Sequence, residues 1–190
     1  IQNDTVKDIP DEQTIDYIVD LLVEGKIVGW MQGNGEVGPR ALGNRSILMH
    51  PGIKNGKDII NARVKHREYW RPFAPSVLEE YAHEWFEIDK PSPYMLRAVK
   101  AKKQKTKEIK TVVHNDYTSR IQTVNKDQNN LYYKLINKFY KKTGIPLLLN
   151  TSVNAGGAPI FAHEHQVENF IKDPKVDIDA ICIGNKILKK

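Results

Sequence analysis

Short, nearly uninterrupted apolar runs set between stretches of helical spacing constrain this chain most. Ile27-Val28-Gly29-Trp30-Met31, Ile145-Pro146-Leu147-Leu148-Leu149 and Ile178–Ile183 are too short for ordinary helices and lack the alternation of a half-exposed strand, so they read as buried strands. Between them, Ile15, Ile18, Val19, Leu22 and Val23 share one helical face, with Asp11 as N-cap and Gly25 as C-cap. Leu131, Leu135, Ile136, Phe139 and Tyr140 give a second amphipathic helix ended by Gly144, and Val167, Phe170 and Ile171 a third over Ala162–Ile171. Shorter helices are predicted over Lys57–Val64 and Glu79–Phe86. Thr111–Val113 and Ser119–Val124 are predicted to pair as strands across His114-Asn115-Asp116-Tyr117, and Gly184-Asn185 turns the chain into Lys186–Leu188. Strands alternate with helices and nothing repeats, which predicts an α/β sheet with helices packed on it.

In such sheets ligands gather where loops leave strand ends. Two loops fit. Gly33 to Ser46 carries four glycines after its first strand, with Arg40 and Arg45 as rigid donor forks for phosphate or carboxylate, and its free backbone N–H groups are expected to cradle an anion. Asn150-Thr151-Ser152-Val153-Asn154 and Gly156-Gly157 follow Leu149 in the same way. Between the loops lies Lys65 to Pro75, which packs cations, aromatics and prolines together. Lys65, Arg71, Arg120, Asn150 and Ser152 thus join Arg40 and Arg45 as candidates for an electrostatic clamp on phosphates.

Other chemistries are poorly supported. One cysteine excludes an internal disulfide, and Cys182 inside Ile181-Cys182-Ile183 reads as a buried inert thiol. One cysteine and six scattered histidines offer no zinc spacing, and there is no Walker A loop and no nucleophile elbow. No run approaches the ~20 apolar residues of a membrane span. The formal charge of +6 favours anionic partners. Lys100 to Lys110 reads as a solvated, mobile surface loop without the aromatic platforms of a single-stranded nucleic-acid site. The first residues, Ile1-Gln2-Asn3-Asp4, resemble no signal peptide. They lack an initiator methionine, so the chain is expected to be a piece of a longer protein.

Gly38-Pro39-Arg40-Ala41-Leu42-Gly43-Asn44-Arg45-Ser46-Ile47 resembles the signature of the NodU/CmcH family of O-carbamoyltransferases. So do Lys65-x-Arg67-Glu68, Trp70-Arg71-Pro72-Phe73-Ala74-Pro75, His114-x-Asp116-x-x-x-Arg120-x-Gln122 and Asn150-Thr151-Ser152-x-Asn154, in family order. The resemblance is to the family's C-terminal domain. It implies a YrdC-like fold over residues 1–190: a twisted mixed β-sheet flanked by helices, with an open concave anion-binding site. It also implies that an N-terminal, actin/Hsp70-like carbamoyl-transfer domain is missing from this sequence. The expected activity is formation of carbamoyl-adenylate from carbamoyl phosphate and ATP, Mg2+ accompanying the nucleotide, for transfer to a hydroxyl acceptor small molecule in the cytoplasm. Carried over residue by residue, Arg40, Lys65, Arg71 and Arg120 become the catalytic clamp around carbamoyl phosphate, with Asn150 and Ser152 as neutral partners. Arg45 and Ser152 are assigned to nucleotide phosphates, and no protein ligand to a metal is expected.

The sequence departs from the family pattern at Asn34-Gly35-Glu36-Val37, where an arginine and an aromatic normally flank the glutamate, and at Gly157-Ala158-Pro159. Two other readings stand beside the enzyme. An RNA-binding YrdC-like module would draw on the positive charge and Lys100–Lys110, although nothing in the sequence reads bases. A decayed regulatory or structural domain would draw on the altered loop.

Overall fold

The computed structural model describes residues 5–68, 70–155 and 157–190, so Ile1–Asp4, Tyr69 of the basic-aromatic stretch and Gly156 of the second glycine loop lie outside the described residues. Asp11 caps α1 (Glu12–Val23) as its position predicts, its carboxylate accepting from the Thr14 N–H at 2.7 Å. Ile15, Ile18, Val19 and Leu22 are buried along one face of that helix. Gly25, at φ +81°, turns the chain into β1 (Val28–Met31), whose four residues are all buried.

The remaining strands are β2 (Arg45–Met49), β3 (Ala74–Leu78), β4 (Arg97–Lys100), β5 (Thr118–Val124), β6 (Leu147–Ser152), β7 (Ala180–Ile183) and β8 (Lys186–Lys189). They form one mixed sheet in the order β4-β5-β3-β6-β2-β1-β7-β8. The pairs β1/β7 and β3/β5 are parallel and every other neighbour is antiparallel. The sheet ends in β4 and β8, each carrying lysine, and is therefore open rather than closed. In register, β6 places Asn150 between Leu48 of β2 and Ala74 of β3, while Gln122 of β5 lies opposite Ser76 of β3. Asn150 and Ser152 at the end of β6, Arg120 on β5 and the segment entering β3 therefore come together although they are far apart in sequence.

The helices follow the predicted apolar faces, with two local surprises. The short helix α2 (Gly56–Ile60) continues into a π-turn over Asn61–Lys65, and His66 then adopts φ +47°. A π-turn followed by a left-handed residue re-aims the chain just where Lys65 and Arg67 leave it. The last long helix of the core, Lys126–Thr143, contains a non-helical residue, Asn129, at φ −156° and ψ 86°. Asn129 acts as a second cap, accepting from the Tyr132 N–H and donating to Asn44 Oδ1, so the start of this helix is fastened to the first glycine loop. The predicted helix over Glu79–Phe86 forms as a 3₁₀ turn (Glu79–Tyr81) and α3 (Ala82–Trp85). In chain order the long helix is therefore α4 (Lys126–Thr143), and α5 (Glu164–Lys172) completes the set.

Two expectations fail. β5 pairs with β4, not with Thr111–Val113, and Lys110–Val112 is a 3₁₀ turn held by the Thr111 N–H to Pro51 C=O and the Val112 N–H to Ile109 C=O. Of the four β4 residues only Val99 is buried, so the strand lacks an apolar signature and merges in sequence with the lysine run beside it. That run is anchored rather than free. The Lys102 N–H donates to Trp85 C=O, the Lys105 ammonium lies 4.3 Å from the Trp85 ring centroid, and Ile109 is fully buried. No helix among the described residues is long and apolar enough to cross a membrane.

Candidate anion-binding site

A small cleft of about 80 Å³ opens where β3, β5 and β6 meet the first glycine loop. Arg40, Arg67, Arg120, Asn150 and Ser152 line it, and among the described residues no acidic side chain does. It has room for a few waters' worth of ligand, hence for a small anion and not a nucleoside. Arg120 is held below its ordinary pKa by desolvation and then by the nearby Arg40 guanidinium. Burial, then the charges of Arg71 and Arg120, push Arg67 down to about 10. These are cations repelling one another in a partly desolvated place, an arrangement that an anion relieves. The buried Nε atoms of Arg67 and Arg120 have no hydrogen-bond partner among the described residues. The Arg67 fork is steadied by the Phe73 ring 4.2 Å away and by Pro72 C=O.

A second, wider cleft of about 620 Å³ shares Arg67 and Ser152 with the first and adds Lys65, Arg71 and Asn154. Lys65 is only 6% exposed, and its ammonium donates to Ser152 C=O at 2.9 Å and to Asn154 Oδ1 at 2.7 Å. Among the described residues no carboxylate pairs with it. Desolvation, then the Arg67 charge, push its pKa down to about 7. Ser152 Oγ donates to the same Asn154 Oδ1, so a lysine, a serine and an asparagine form one fixed unit at the end of β6. Arg71 is half exposed and pairs with Glu68 at 3.5 Å, which leaves it at the rim.

Beneath the clefts lies a buried polar network. Asn150 Nδ2 donates to Ala41 C=O at 3.0 Å and to Ser76 Oγ at 2.9 Å; Ser76 Oγ donates to Gln122 Oε1, and Gln122 Nε2 donates to Leu42 C=O. The network ties the loop bearing Arg40 to three strands, while Asn150 Oδ1 is buried without a partner among the described residues. Met95, which lines the small cleft, adopts φ +55°, a costly conformation for a side chain of its size.

Two expectations about the first glycine loop need correction. Its backbone N–H groups do converge on an anion, but the anion is internal: Glu36 Oε1 accepts from the N–H groups of Leu42, Asn44 and Arg45 at 2.9, 2.9 and 3.2 Å. Arg45, assigned to nucleotide phosphates, is fully buried, and its guanidinium donates to Gln32 C=O at 2.7 Å, Asn44 C=O and Gly33 C=O. A guanidinium so engaged braces the loop from within. Arg67 is the reverse case: its motif is legible in the sequence and its place in the cleft is not. Its i, i+2 spacing from Lys65 carries no message until the left-handed His66 turns the chain. Cys182 is fully buried and burial pushes its thiol up to about 12, as an inert core cysteine requires.

An open mixed sheet flanked by helices defines a YrdC-like α/β domain. Two solved structures share that fold. Full-length HypF, solved in a phosphate- and nucleotide-bound form, matches with TM-score 0.66 at 19% identity over 90% of this chain and 25% of its own. E. coli YciO matches with TM-score 0.61 at 12% identity over 96% of this chain and 90% of its own. The chain belongs to the carbamoyltransferase C-terminus family, whose model matches residues 19–190. Nodulation protein NolNO of Sinorhizobium fredii is 44% identical over 173 residues, covering 89% of this chain and 25% of that protein. The chain spans only about a quarter to a third of the length of such curated relatives.

Proposed function

We propose that this domain binds carbamoyl phosphate and Mg-ATP and forms carbamoyl-adenylate, the activated half-reaction of an O-carbamoyltransferase. The observation that carries this reading is the small arginine-lined cleft, joined through Arg67 and Ser152 to a wider cationic cleft. Two neighbouring anion sites of different size suit one small phosphorylated substrate and one nucleotide. The phosphate and nucleotide named for the HypF structure are a pair of the same kind.

Arg40, Arg67 and Arg120 hold the phosphate of carbamoyl phosphate, and the unpartnered Asn150 Oδ1 is the acceptor that a carbamoyl NH₂ needs in an otherwise donor-rich cleft. Lys65 and Arg71, expected around carbamoyl phosphate, line the wider cleft instead, where with Ser152 they meet the nucleotide phosphates. Hydrolysis of carbamoyl phosphate gives carbamate and phosphate. A carbamate oxygen then attacks the α-phosphorus of ATP and expels pyrophosphate, so neither step needs a protein nucleophile. Fixed cations offset the repulsion between two anionic reactants, and orientation supplies much of the rest. An N-terminal domain of the longer protein would then pass the carbamoyl group to a hydroxyl.

Calorimetric titration with carbamoyl phosphate and with a non-hydrolysable ATP analogue tests the reading. Binding of both is expected, and failure of a folded sample to bind either at millimolar concentration rejects it. Arg120→Lys keeps the charge but loses the rigid fork, and is expected to weaken carbamoyl phosphate binding by ~1–3 kcal/mol. Unchanged affinity removes Arg120 from the site.

A further inference from the structure

A buried lysine is ordinarily paired with a carboxylate, and Lys65 is buried without one. It lies on the wall of the wider cleft, and among the described residues no acidic oxygen meets its side-chain nitrogen. Two neutral acceptors do. Ser152 C=O takes one N–H at 2.9 Å and Asn154 Oδ1 another at 2.7 Å, while Asn154 C=O, at 3.5 Å, is at the limit of a hydrogen bond. Two short bonds use both hydrogens of a neutral amine and leave its lone pair unengaged. Desolvation, then the charge of Arg67, push Lys65 down to about 7, so the neutral form is available. The other groups on the cleft do not offset this. Glu68 is paired with Arg71 at 3.5 Å, and the His66 ring meets Lys175 C=O at 2.6 Å. The end of β6 and the loop after it bring no titratable side chain among the described residues. A desolvated neutral amine on an open cleft wall is a nucleophile.

We infer that Lys65 is a site of N-carbamoylation, with cyanate, the breakdown product of carbamoyl phosphate, as the reagent. The inference rests on the carbamoyl phosphate reading above for the source of the reagent, and adds a regulation of the same site. Carbamoyl phosphate decomposes when the bond from its carbamoyl carbon to the bridging oxygen breaks. Its two N–H protons pass to the phosphate, and cyanate is released. The Lys65 lone pair then adds to the carbon of isocyanic acid, the protonated form of cyanate. A C–N bond forms, one C=N π bond opens, and the amine proton passes to the cyanate nitrogen. Nothing leaves, and the side chain ends as a neutral urea. The wider cleft has room for the added carboxamide. The charge lost is one that meets the nucleotide phosphates, so decomposing substrate shuts the nucleotide cleft. Arg40, Arg67 and Arg120 of the small cleft are spared, because a guanidinium stays protonated.

Potassium cyanate followed by peptide mass mapping reads this without any turnover. YciO, nearly all of whose chain matches this unit, shows that the fold stands alone, so the 190-residue chain can be used. The comparison lysines are Lys134, Lys138 and Lys142, which pair with carboxylates of α1. Near neutral pH Lys65 is expected to gain the carbamoyl mass roughly tenfold faster than these, because an ordinary lysine is almost wholly protonated there. Inorganic tripolyphosphate should slow the reaction by restoring the ammonium. The modified protein should bind the non-hydrolysable ATP analogue roughly 10- to 150-fold more weakly, the loss of one hydrogen bond to a charged group. Lys65→Arg keeps a cation that cyanate does not modify and should lose no further affinity on the same treatment. A Lys65 that reacts no faster than the α4 lysines overturns the inference. So does modification without loss of affinity, or an equal loss in treated Lys65→Arg. None of these results reaches the carbamoyl phosphate reading, which stands or falls on binding of that substrate. If the untreated protein does not bind the analogue, the nucleotide reading fails, and the labelling rate still decides the modification site.

Discussion

Lys65 concentrates the residue-scale physics. It is buried, unpaired by any carboxylate among the described residues and pushed down to about 7 by desolvation and then by Arg67. Between about pH 7 and its ordinary value of 10.5, the unfolded chain holds a proton that the folded chain has shed. Lys65 therefore opposes folding most at low pH, and that cost is relieved as pH rises through this window. Anion binding reverses the bias, because a phosphate nearby restores the charged form. The affinity of the site for phosphate anions is therefore expected to fall as pH rises above about 7. Binding at about pH 8 should take up a proton, measurable by calorimetry in buffers of different ionisation heat. Lys65→Met should abolish that uptake, and a wild type that takes up no proton places the anion away from Lys65.

At the scale of elements, the first glycine loop is a self-contained anion nest rather than an empty one. Glu36 supplies the negative charge for the N–H groups of Leu42, Asn44 and Arg45, Arg45 closes the loop from inside, and Asn150 and Gln122 hold its Ala41 and Leu42 carbonyls. Arg40 thus projects from a braced segment, as a pre-organised clamp requires. The loop also needs Gly43. Its φ is +107°, and a Cβ at this position would come within 2.2 Å of the Tyr132 ring, so any side chain there would displace α4. Glu36→Ala leaves three donors without their acceptor and is expected to cost ~1–3 kcal/mol in chemical denaturation. Faster amide exchange confined to Leu42, Asn44 and Arg45 should accompany it. A variant as stable and as protected as wild type would show that the loop is held by other means. Val37, where the resemblance leads to an aromatic, is 98% exposed beside this lock, so that one change lies on the outer surface and leaves the Glu36 hydrogen bonds intact.

For the whole molecule, one continuous sheet and one apolar core join the two ends of the chain. Val6 bridges Gly33, α1 packs on α4, and β1 pairs with β7 across more than half the sequence. Such long-range closure leaves no subset of strands with a core of its own. Unfolding followed by far-ultraviolet circular dichroism and by tryptophan fluorescence is expected to give one coincident transition. Two separated transitions would mean that the β4-β5-β3 half folds independently. Part of the positive charge is neutralised within the fold. Glu12, Asp16 and Asp20 of α1 pair with Lys134, Lys138 and Lys142 of α4, which contributes little to stability but keeps those lysines from acting as a basic patch.

The sequence by itself determined the buried strands β1, β6 and β7, the helices α1, α4 and α5, and the motifs that carry Arg40, Lys65, Arg120, Asn150 and Ser152. Each of these is written locally, in apolar period, cap residues or a characteristic string. It did not reveal β4, whose single buried residue gives no pattern, or the π-turn at Asn61–Lys65, which has no composition of its own. It also could not tell Arg40 from Arg45, since two arginines in one glycine-rich loop look equally available. Only the tertiary structure turned one outward to the cleft and buried the other against backbone carbonyls. The same holds for the glycine loop, whose amides are taken by Glu36 because the fold brings that carboxylate back over them. Which polar group faces a ligand and which satisfies the protein is decided by where distant segments meet, and no local pattern records that.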